Sequence, residues 1–161
     1  MLLFLKNVLF TVLVPGAIGV YMPLRLAMAS RGVLPLRSDA LHIVALLPLL
    51  SGMVIYFWCL WNFAVLGRGT PAPVDPPKHL VVRGPYQYVR NPMYIGVLLL
   101  ITGWAIFFQS WRILVYDALV GLLFHLFVVR VEESSLRKRF GESYDRYCKK
   151  VRRWIPKTSS S

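Results

Sequence analysis

Four long stretches with almost no charged side chains constrain this chain more than any other feature of its sequence. Two of them contain no charge, one contains Lys6, and one contains Asp117 ahead of a terminal arginine. Because a helix needs about 20 mostly apolar residues to cross a bilayer, the pattern predicts an all-α, polytopic membrane bundle of about four transmembrane helices. The predicted spans are residues 2–22, 40–66, 92–109 and 113–130. A deeply buried helical pair in a soluble protein is the alternative for the two shorter stretches.

The net charge of +12 comes from basic residues that cluster beside the apolar stretches. In a soluble protein this charge would favour a nucleic-acid partner, whereas in a membrane protein it reflects the enrichment of Lys and Arg in cytoplasmic loops. If the N-terminus, the 67–91 loop and the C-terminal tail share the cytoplasmic side, all but four of the 19 Lys and Arg residues lie there. We therefore predict a multi-pass integral membrane protein with both termini in the cytoplasm and no nucleic-acid partner. The four exceptions are Arg25, Arg31, Arg37 and Arg112.

Two local features bear on processing and on metal binding. Ala27-Met28-Ala29 resembles a signal-peptidase site, so a cleaved signal within residues 1–29 is an alternative to a first span. The residues ahead of it are apolar, with Lys6 as the one early positive charge, which favours the span. Cys59 falls within the second span and Cys148 in the tail, so the sequence predicts neither a disulfide nor a metal site.

The two polar regions that flank the last spans have different patterns. Residues 67–80 (GRGTPAPVDPPKHL) are rich in proline and glycine, which excludes a helix and predicts an ordered strap across the cytoplasmic face. Residues 130–156 repeat large apolar side chains at three- and four-residue intervals, which predicts an amphipathic helix on an anionic membrane surface. We expect Gly141 to break this helix and Pro156 to end it. The apolar stripe consists of Leu136, Phe140, Tyr144, Tyr147, Val151 and Trp154.

The stretch RGPYQYVRNPMYIG, residues 83–96, concentrates polar and turn-forming residues directly before an apolar run. Pro85 suits the first turn of a short helix, with Gly84 allowing the turn before it. Asn is a favoured N-cap and Pro a favoured first helical residue, so Asn91-Pro92 predicts the start of the third span. The free N–H groups of such a helix start attract a carboxylate or phosphate, and Arg90 stands beside it.

Complementary polar residues come from the fourth span. His125, Glu132 and Glu133 lie roughly along one helical face, and the two carboxylates sit where the span leaves the membrane. Polar groups at the depth of His125 face the bundle interior and are functional candidates, although a structural histidine bonded to a backbone carbonyl is equally compatible. For Glu132-Glu133 the alternative is a surface ion-pair cluster. Asp117 is predicted to be a packing residue, and Gly96 with Gly103 should let another helix come close. These groups together predict a cytoplasm-facing pocket for a zwitterionic, partly aromatic ligand.

Two motifs in this chain resemble those of a known family. KHLVVRGPYQYVRNPMYIG, followed by EESSLRKRFGESYDRYCKKVRRWIP, is similar to the integral-membrane methyltransferases of the isoprenylcysteine carboxyl methyltransferase and phospholipid methyltransferase group. The likeness covers residues 67–156 and implies a single methyltransferase domain over 1–161. Its cofactor would be S-adenosylmethionine and its acceptor a membrane-embedded or lipophilic carboxylate, thiol, phenol or amine. Many relatives carry Arg-His-Pro where this chain has Arg90-Asn91-Pro92, so a role for that histidine does not transfer.

The resemblance also implies roles for individual residues. The cofactor pocket would use residues of both motifs: Lys78 or His79, Leu80, Val81, Gly84, Pro85, Tyr86, Arg90, Asn91, Pro92, Tyr94, Gly96, Glu132 and Glu133. Arg90 and the helix start would hold the cofactor's carboxylate, and Glu132 or Glu133 its ammonium or ribose hydroxyls. Tyr86 and Tyr94 would contact the adenine or the sulfonium. The predicted catalytic set is Arg90, His125 and Glu133, with His125 as the base for any acceptor that must lose a proton.

Two other functions are compatible with these features. One is a non-catalytic membrane adaptor or lipid-binding protein. The other is an NADPH enzyme resembling sterol reductases, for which this chain is short.

Overall fold

The computed structural model describes residues 8–29, 39–67 and 79–157, and within them every regular element is helical. Helix α1 covers Val8–Ala29 and contains a wide π-helical stretch, Val12–Tyr21. Helix α2 covers Asp39–Asn62 and continues as a π-helical turn, Phe63–Gly67. A 3₁₀ turn, Gly84–Gln87, precedes helix α3, Pro92–Phe107. Helix α4, Trp111–Phe127, passes through a π-helical turn, Val128–Glu132, into α5, Glu133–Phe140, and α6 covers Glu142–Lys150. The prediction of an all-α bundle is confirmed.

Three helical segments are long and apolar enough to cross a membrane. They are Val8–Ala29, Ala40–Val65 and Trp111–Phe140. Helix α3 has 16 residues, about 24 Å at 1.5 Å per residue, which is short of a hydrocarbon core about 30 Å thick. Its neighbours explain how a short helix fits, because α3 packs against α1, α2 and α4 and occupies the middle of the bundle. The protein is a membrane helical bundle, with three full-length apolar helices around a shorter central one.

The closest helix contact is the crossing of α2 and α3, where glycines replace side chains. A Cβ atom added to Gly52 would lie 2.6 Å from the Gly96 carbonyl oxygen and 2.9 Å from the Leu100 amide nitrogen. A Cβ on Gly103 would lie 2.6 Å from Cγ of Leu49. Small residues at such crossings allow backbones to approach closely in lipid. The predicted role of Gly96 and Gly103 in close helix packing is confirmed.

Buried hydrogen bonds attach the outer helices to one another. The Tyr56 hydroxyl donates to Thr11 Oγ1 at 3.0 Å and joins α2 to α1. The Tyr116 hydroxyl donates to the Ile18 carbonyl at 3.0 Å and joins α4 to α1. Asp117 accepts a 2.6 Å hydrogen bond from the Thr102 hydroxyl, between α4 and α3, in keeping with the packing role expected for it. Polar side chains in the membrane interior are stabilised by such mutual bonds.

The structure corrects three predicted boundaries. The first span does not stop at residue 22, because its helix continues to Ala29. The fourth span does not stop at residue 130, since its helix continues to Phe140. The tail is broken at Gly141 as predicted, with φ +52, but its second helix ends at Lys150 rather than near Pro156. Val151 is extended because the backbone that follows pairs with the 89–91 segment. The proline-rich strap predicted for residues 67–80 lies almost wholly outside the described residues.

Candidate functional site

A cavity of about 470 Å³ opens at one end of the bundle. Four helix ends meet there: the beginnings of α1 and α3 and the ends of α2 and α4. Helices α5 and α6 and residues 80–91, which include the 3₁₀ turn, supply the rest of the wall. Aromatic rings make up much of the lining: Phe10, Phe63, Tyr86, Tyr94, Phe124, Phe127, Phe140, Tyr144 and Tyr147. The polar lining groups are few, as is usual for a small-molecule site, and five of them are Arg90, Asn91, Glu132, Glu133 and Ser135.

The 3₁₀ turn holds one edge of the cavity against the end of α2. Gly84 has φ +62, a conformation that favours glycine, and a Cβ there would lie 2.7 Å from Asn62 Nδ2. Pro85 follows in the first turn, as predicted, and its carbonyl accepts the N–H of Val89 at 3.3 Å. The turn places Tyr86 at the wall, where burial raises the pKa of its phenol well above the usual value. This ring therefore meets a ligand as a neutral phenol.

Helix α3 begins at Pro92 with Asn91 in the N-cap position, as the sequence predicted. The Asn91 side chain does not cap the helix. Its amide nitrogen instead donates to the Arg153 carbonyl at 3.2 Å. The neighbouring Arg90 N–H donates to the Arg152 carbonyl at 2.9 Å, and Val89 forms a parallel bridge with Arg152. The motif before α3 is thus held by the segment after α6.

Arg90, Glu133 and Arg153 form an ion cluster at the cavity edge. Arg153 donates from Nε and Nη2 to the two carboxylate oxygens of Glu133, at 2.7 and 3.0 Å. Arg90 Nη1 lies 3.2 Å from the same Glu133 Oε1 and donates to Cys148 Sγ at 2.7 Å. Among the described residues, the buried Nε of Arg90 has no hydrogen-bond partner. Arg90 and Glu133 are therefore in direct contact, rather than on opposite sides of an open site.

Glu132, the neighbouring carboxylate, has a different environment. It accepts a 2.7 Å hydrogen bond from the Tyr94 hydroxyl, and within the described part of the chain it forms no ion pair with a cation. Tyr94 in turn contacts the Phe124 ring, with centroids 4.7 Å apart. Of the two adjacent carboxylates, Glu133 is neutralised by arginines, whereas Glu132 lies beside aromatic rings with no cation next to it in the described part of the chain.

The apolar stripe of the tail covers the cavity. Leu136, Phe140, Tyr144 and Tyr147 all line it, and Tyr144 is 2% exposed. The Tyr147 hydroxyl donates to the Tyr86 carbonyl at 2.7 Å, and burial raises the pKa of this phenol, which keeps its proton available for that bond. The predicted amphipathic pattern is real, but these four side chains close the site instead of facing lipid.

Eight residues assigned to the pocket from sequence line the cavity: Leu80, Val81, Tyr86, Arg90, Asn91, Tyr94, Glu132 and Glu133. Gly84 and Pro85 shape the turn that carries Tyr86, and Pro92 starts α3. Gly96 lies instead in the contact with α2. His79 is exposed, and Lys78 lies outside the described residues.

His125, the predicted base, lies away from the cavity wall. Its side chain is exposed on α4, and its Nδ1 accepts a hydrogen bond from the Trp154 indole at 3.1 Å. The lining residues from this turn of the helix are Phe124 and Phe127. His125 therefore contacts the tail, and we assign it no part in the chemistry proposed below.

Several site residues were not identified from the sequence. Phe10 and Phe63 come from spans whose composition gave no sign of a site. Tyr144 and Tyr147 belonged to a recognised apolar stripe, and their three-residue spacing correctly placed them on one face. Arg153 sits among eight other basic residues in the tail, and no pattern distinguished it from them.

The fold and cavity define a membrane helical protein with a ligand site where its helices end. A sequence profile of the phospholipid methyltransferase family matches residues 40–143. The chain belongs to this family, and its long apolar helices make it a membrane protein.

Individual relatives agree with this assignment. The chain is 35% identical over 77 residues to Protein-S-isoprenylcysteine O-methyltransferase of Schizosaccharomyces pombe, a match that covers 48% of this chain and 33% of that protein. It is 32% identical over 63 residues to an uncharacterized protein of Haemophilus influenzae, across 39% of this chain and 100% of that one. The chain thus spans about a third of the named relative.

Proposed function

We propose that this protein transfers a methyl group from S-adenosylmethionine to a lipophilic acceptor in the membrane. One observation carries the proposal: the cavity is lined by Arg90, whose buried Nε has no hydrogen-bond partner among the described residues, and by Glu132, which forms no ion pair among them. A buried N–H group without a partner, such as that of Arg90, is costly in a folded protein. A ligand with both a carboxylate and a cationic or hydroxyl-bearing part would satisfy both groups.

S-adenosylmethionine fits this set of groups. The volume of about 470 Å³ lies within the range of small-molecule sites, roughly 300–1,000 Å³. Arg90 would hold the carboxylate of the methionine part, because a guanidinium matches a carboxylate in charge and geometry. Glu132 would hold the ammonium or the ribose hydroxyls. Tyr86, Tyr94 and their aromatic neighbours would pack on the adenine and face the sulfonium.

The contribution of the protein would be alignment and exclusion of water. When bound, the cofactor supplies an electrophilic methyl group on a positively charged sulfur. Tyr144 and Tyr147 cover the cavity from α6, so reacting groups within it are shielded from bulk water. The ion cluster and the hydrogen bond between Tyr94 and Glu132 hold the polar groups in place before a ligand arrives. Such fixed positioning lowers the entropic cost of reaching the reactive geometry.

The acceptor would enter from the membrane side. A second space of about 90 Å³ shares Tyr94 and Glu132 with the main cavity and continues between α1 and α3, past Ile18 and Val97. Its further lining is largely apolar, which suits a hydrocarbon part. The name of the Schizosaccharomyces pombe relative points to a prenylated cysteine carboxylate, and the family name to a phospholipid. A carboxylate acceptor needs no base, which agrees with the position of His125 outside the cavity.

Cofactor binding is tested directly by thermal stability. S-adenosylhomocysteine, the demethylated product, should raise the melting temperature of the detergent-purified protein. At a concentration 100 times the Kd, binding to the folded state adds about 2.7 kcal/mol, a rise of roughly 5–10 °C for a chain of this size. NADPH, matched in concentration, should produce no shift. A shift with NADPH alone would instead support the reductase alternative, and no shift with either nucleotide would support a non-catalytic lipid-binding protein.

We propose further that residues 1–161 act as one domain whose cavity end faces the cytoplasm, as the distribution of basic residues indicates. Exposed residues at the two ends of the bundle allow a test: Gln87 and Ser143 lie at the cavity end, and Gln109 lies after α3 at the other. Single cysteines at these positions, in a protein whose Cys59 and Cys148 are replaced by alanine, should react differently with an impermeant thiol reagent. We expect labelling at Gln109 in intact cells, and at Gln87 and Ser143 only after permeabilisation. The reverse pattern would invert the proposed orientation.

A further inference from the structure

The segment that follows α6 is held by hydrogen bonds to the backbone of Arg152 and Arg153. Val151 is extended (φ −117, ψ 129), and Arg152 pairs with Val89. The carbonyls of Arg152 and Arg153 accept hydrogen bonds from the Arg90 N–H at 2.9 Å and from the Asn91 side chain at 3.2 Å. The backbone position of Arg153 is therefore set by the motif before α3, which also forms part of the cavity wall.

The Arg153 side chain returns to that wall through one carboxylate. Its two hydrogen bonds of 2.7 and 3.0 Å engage both oxygens of Glu133, which is 8% exposed. A bidentate guanidinium–carboxylate pair fixes the orientation of the carboxylate as well as its position, which a lysine ammonium does not do. Glu133 is thereby held in one orientation by a residue 20 positions away in the chain.

Glu133 in turn holds Arg90. Its Oε1 lies 2.7 Å from Arg153 Nε and 3.2 Å from Arg90 Nη1, so one oxygen links the two guanidiniums. Arg90 lines the cavity and has the unpartnered Nε, whereas Arg153 is not among the described lining residues. The Arg153 guanidinium therefore acts on the cavity wall through Glu133, which contacts Arg90.

We infer that Arg153 is a positioning residue of the site: its guanidinium orients the Glu133 carboxylate, which holds Arg90 in place for the carboxylate of the ligand. This inference rests on the proposed function, because it takes Arg90 as the cofactor contact. It assigns a role to a residue beyond the segment, 40–143, that matches the family profile. Outer contacts of this kind typically change affinity by about 10- to 100-fold when removed, as measured around metal ligands.

Titration of S-adenosylhomocysteine into purified variants tests the inference. Arg153→Gln removes both the charge and the bidentate guanidinium. Arg153→Lys keeps the charge but cannot form the bidentate pair. Arg152→Gln is the matched control, since that side chain is exposed. For each protein, the Kd and the stoichiometry are measured by titration at a temperature well below the melting point. The melting temperature without ligand is measured separately. We expect about tenfold weaker binding for Arg153→Gln, an intermediate value for Arg153→Lys, and wild-type affinity for Arg152→Gln.

The three readouts separate positioning from support of the fold. A purely structural role would lower the melting temperature and the stoichiometry but leave the Kd of the folded fraction unchanged, and that result would overturn the inference. If Arg153→Gln does not fold, Arg153→Lys decides, and a Kd within twofold of wild type rejects the positioning role. If wild-type protein does not bind S-adenosylhomocysteine, the proposed function fails and the inference falls with it. Binding by wild type with unchanged affinity in both variants refutes the inference alone.

Discussion

Glu133→Gln should strongly destabilise the protein, because it removes the one carboxylate that neutralises two arginines. Glu133 is 8% exposed and contacts Arg90 at 3.2 Å and Arg153 at 2.7 Å. Removing one partner of a buried ion pair costs about 3–5 kcal/mol, since the remaining charge is left uncompensated. Arg153 has a side chain 30% exposed and can turn toward water, so we expect the lower end of that range. The Arg90 side chain is 13% exposed and has less freedom to turn toward water.

Glu132→Gln provides the matched comparison, one residue away and with the same change of atoms. The hydrogen bond from Tyr94 to Glu132 is 2.7 Å long in the wild type. The glutamine carbonyl can still accept it, so stability should change little. The lost negative charge should instead weaken S-adenosylhomocysteine binding about ten- to a hundredfold, the equivalent of one charged hydrogen bond of roughly 1.5–3 kcal/mol.

Urea unfolding and ligand titration of the two variants distinguish these effects. Different profiles are expected: stability and affinity should both fall in Glu133→Gln, because Glu133 also holds Arg90, whereas affinity alone should fall in Glu132→Gln. Wild-type stability in Glu133→Gln would show that the cluster behaves as an exposed ion pair, which contributes little. Unchanged affinity in Glu132→Gln would remove this carboxylate from the proposed ligand site.

Gly52→Leu should prevent assembly of the bundle. Even a Cβ at this position would lie 2.6 and 2.9 Å from backbone atoms of Gly96 and Leu100, and backbone cannot move aside as a flexible side chain can. Overpacking by a few methylenes typically costs about 1–3 kcal/mol, and here α2 and α3 would have to separate along their length. Gly52→Ala should fold with a clearly lower melting temperature, whereas Gly52→Leu should give no monodisperse protein in detergent.

Gly121→Ala is the control for that substitution. A Cβ on Gly121 would meet only the side chain of Leu98, at 3.7 Å, an ordinary contact, and alanine favours helix over glycine. Its melting temperature should equal or exceed that of wild type. If Gly52→Ala melts at the wild-type temperature, the close crossing of α2 and α3 does not hold the bundle together.

The parts of the fold that depend on local chemistry could be predicted from sequence. Long apolar stretches predicted the helices, and Gly84, Asn91-Pro92 and Gly141 marked turns, starts and breaks at the right residues. The end of the tail helix could not be predicted, because the chain becomes extended at Val151 and Arg152 then pairs with a segment about 60 residues earlier. No local pattern encodes that contact.

The position of His125 illustrates a second limit. The sequence argument assumed a regular α-helix, in which His125 would share a face with Glu132 and Glu133. The helix instead widens over Val128–Glu132, and hydrogen bonds in such a turn connect residues five apart. The faces before and after it no longer align, so Glu132 lines the cavity while His125 is exposed. Such π-helical turns leave no clear signal in composition.

The unbroken helix from Trp111 to Phe140 also limits how the molecule can be dissected. This one helix lies in the hydrocarbon, carries both carboxylates and reaches the tail residues that cover the cavity. It contains no linker at which the chain could be cut. Truncation anywhere along it would separate Glu132 and Glu133 from the helices that place them, and the remaining wall comes from α1, α2, α3, α6 and residues 80–91. A water-soluble fragment that retains the site therefore cannot be excised, and any reduced version would have to be redesigned on its lipid-facing surface.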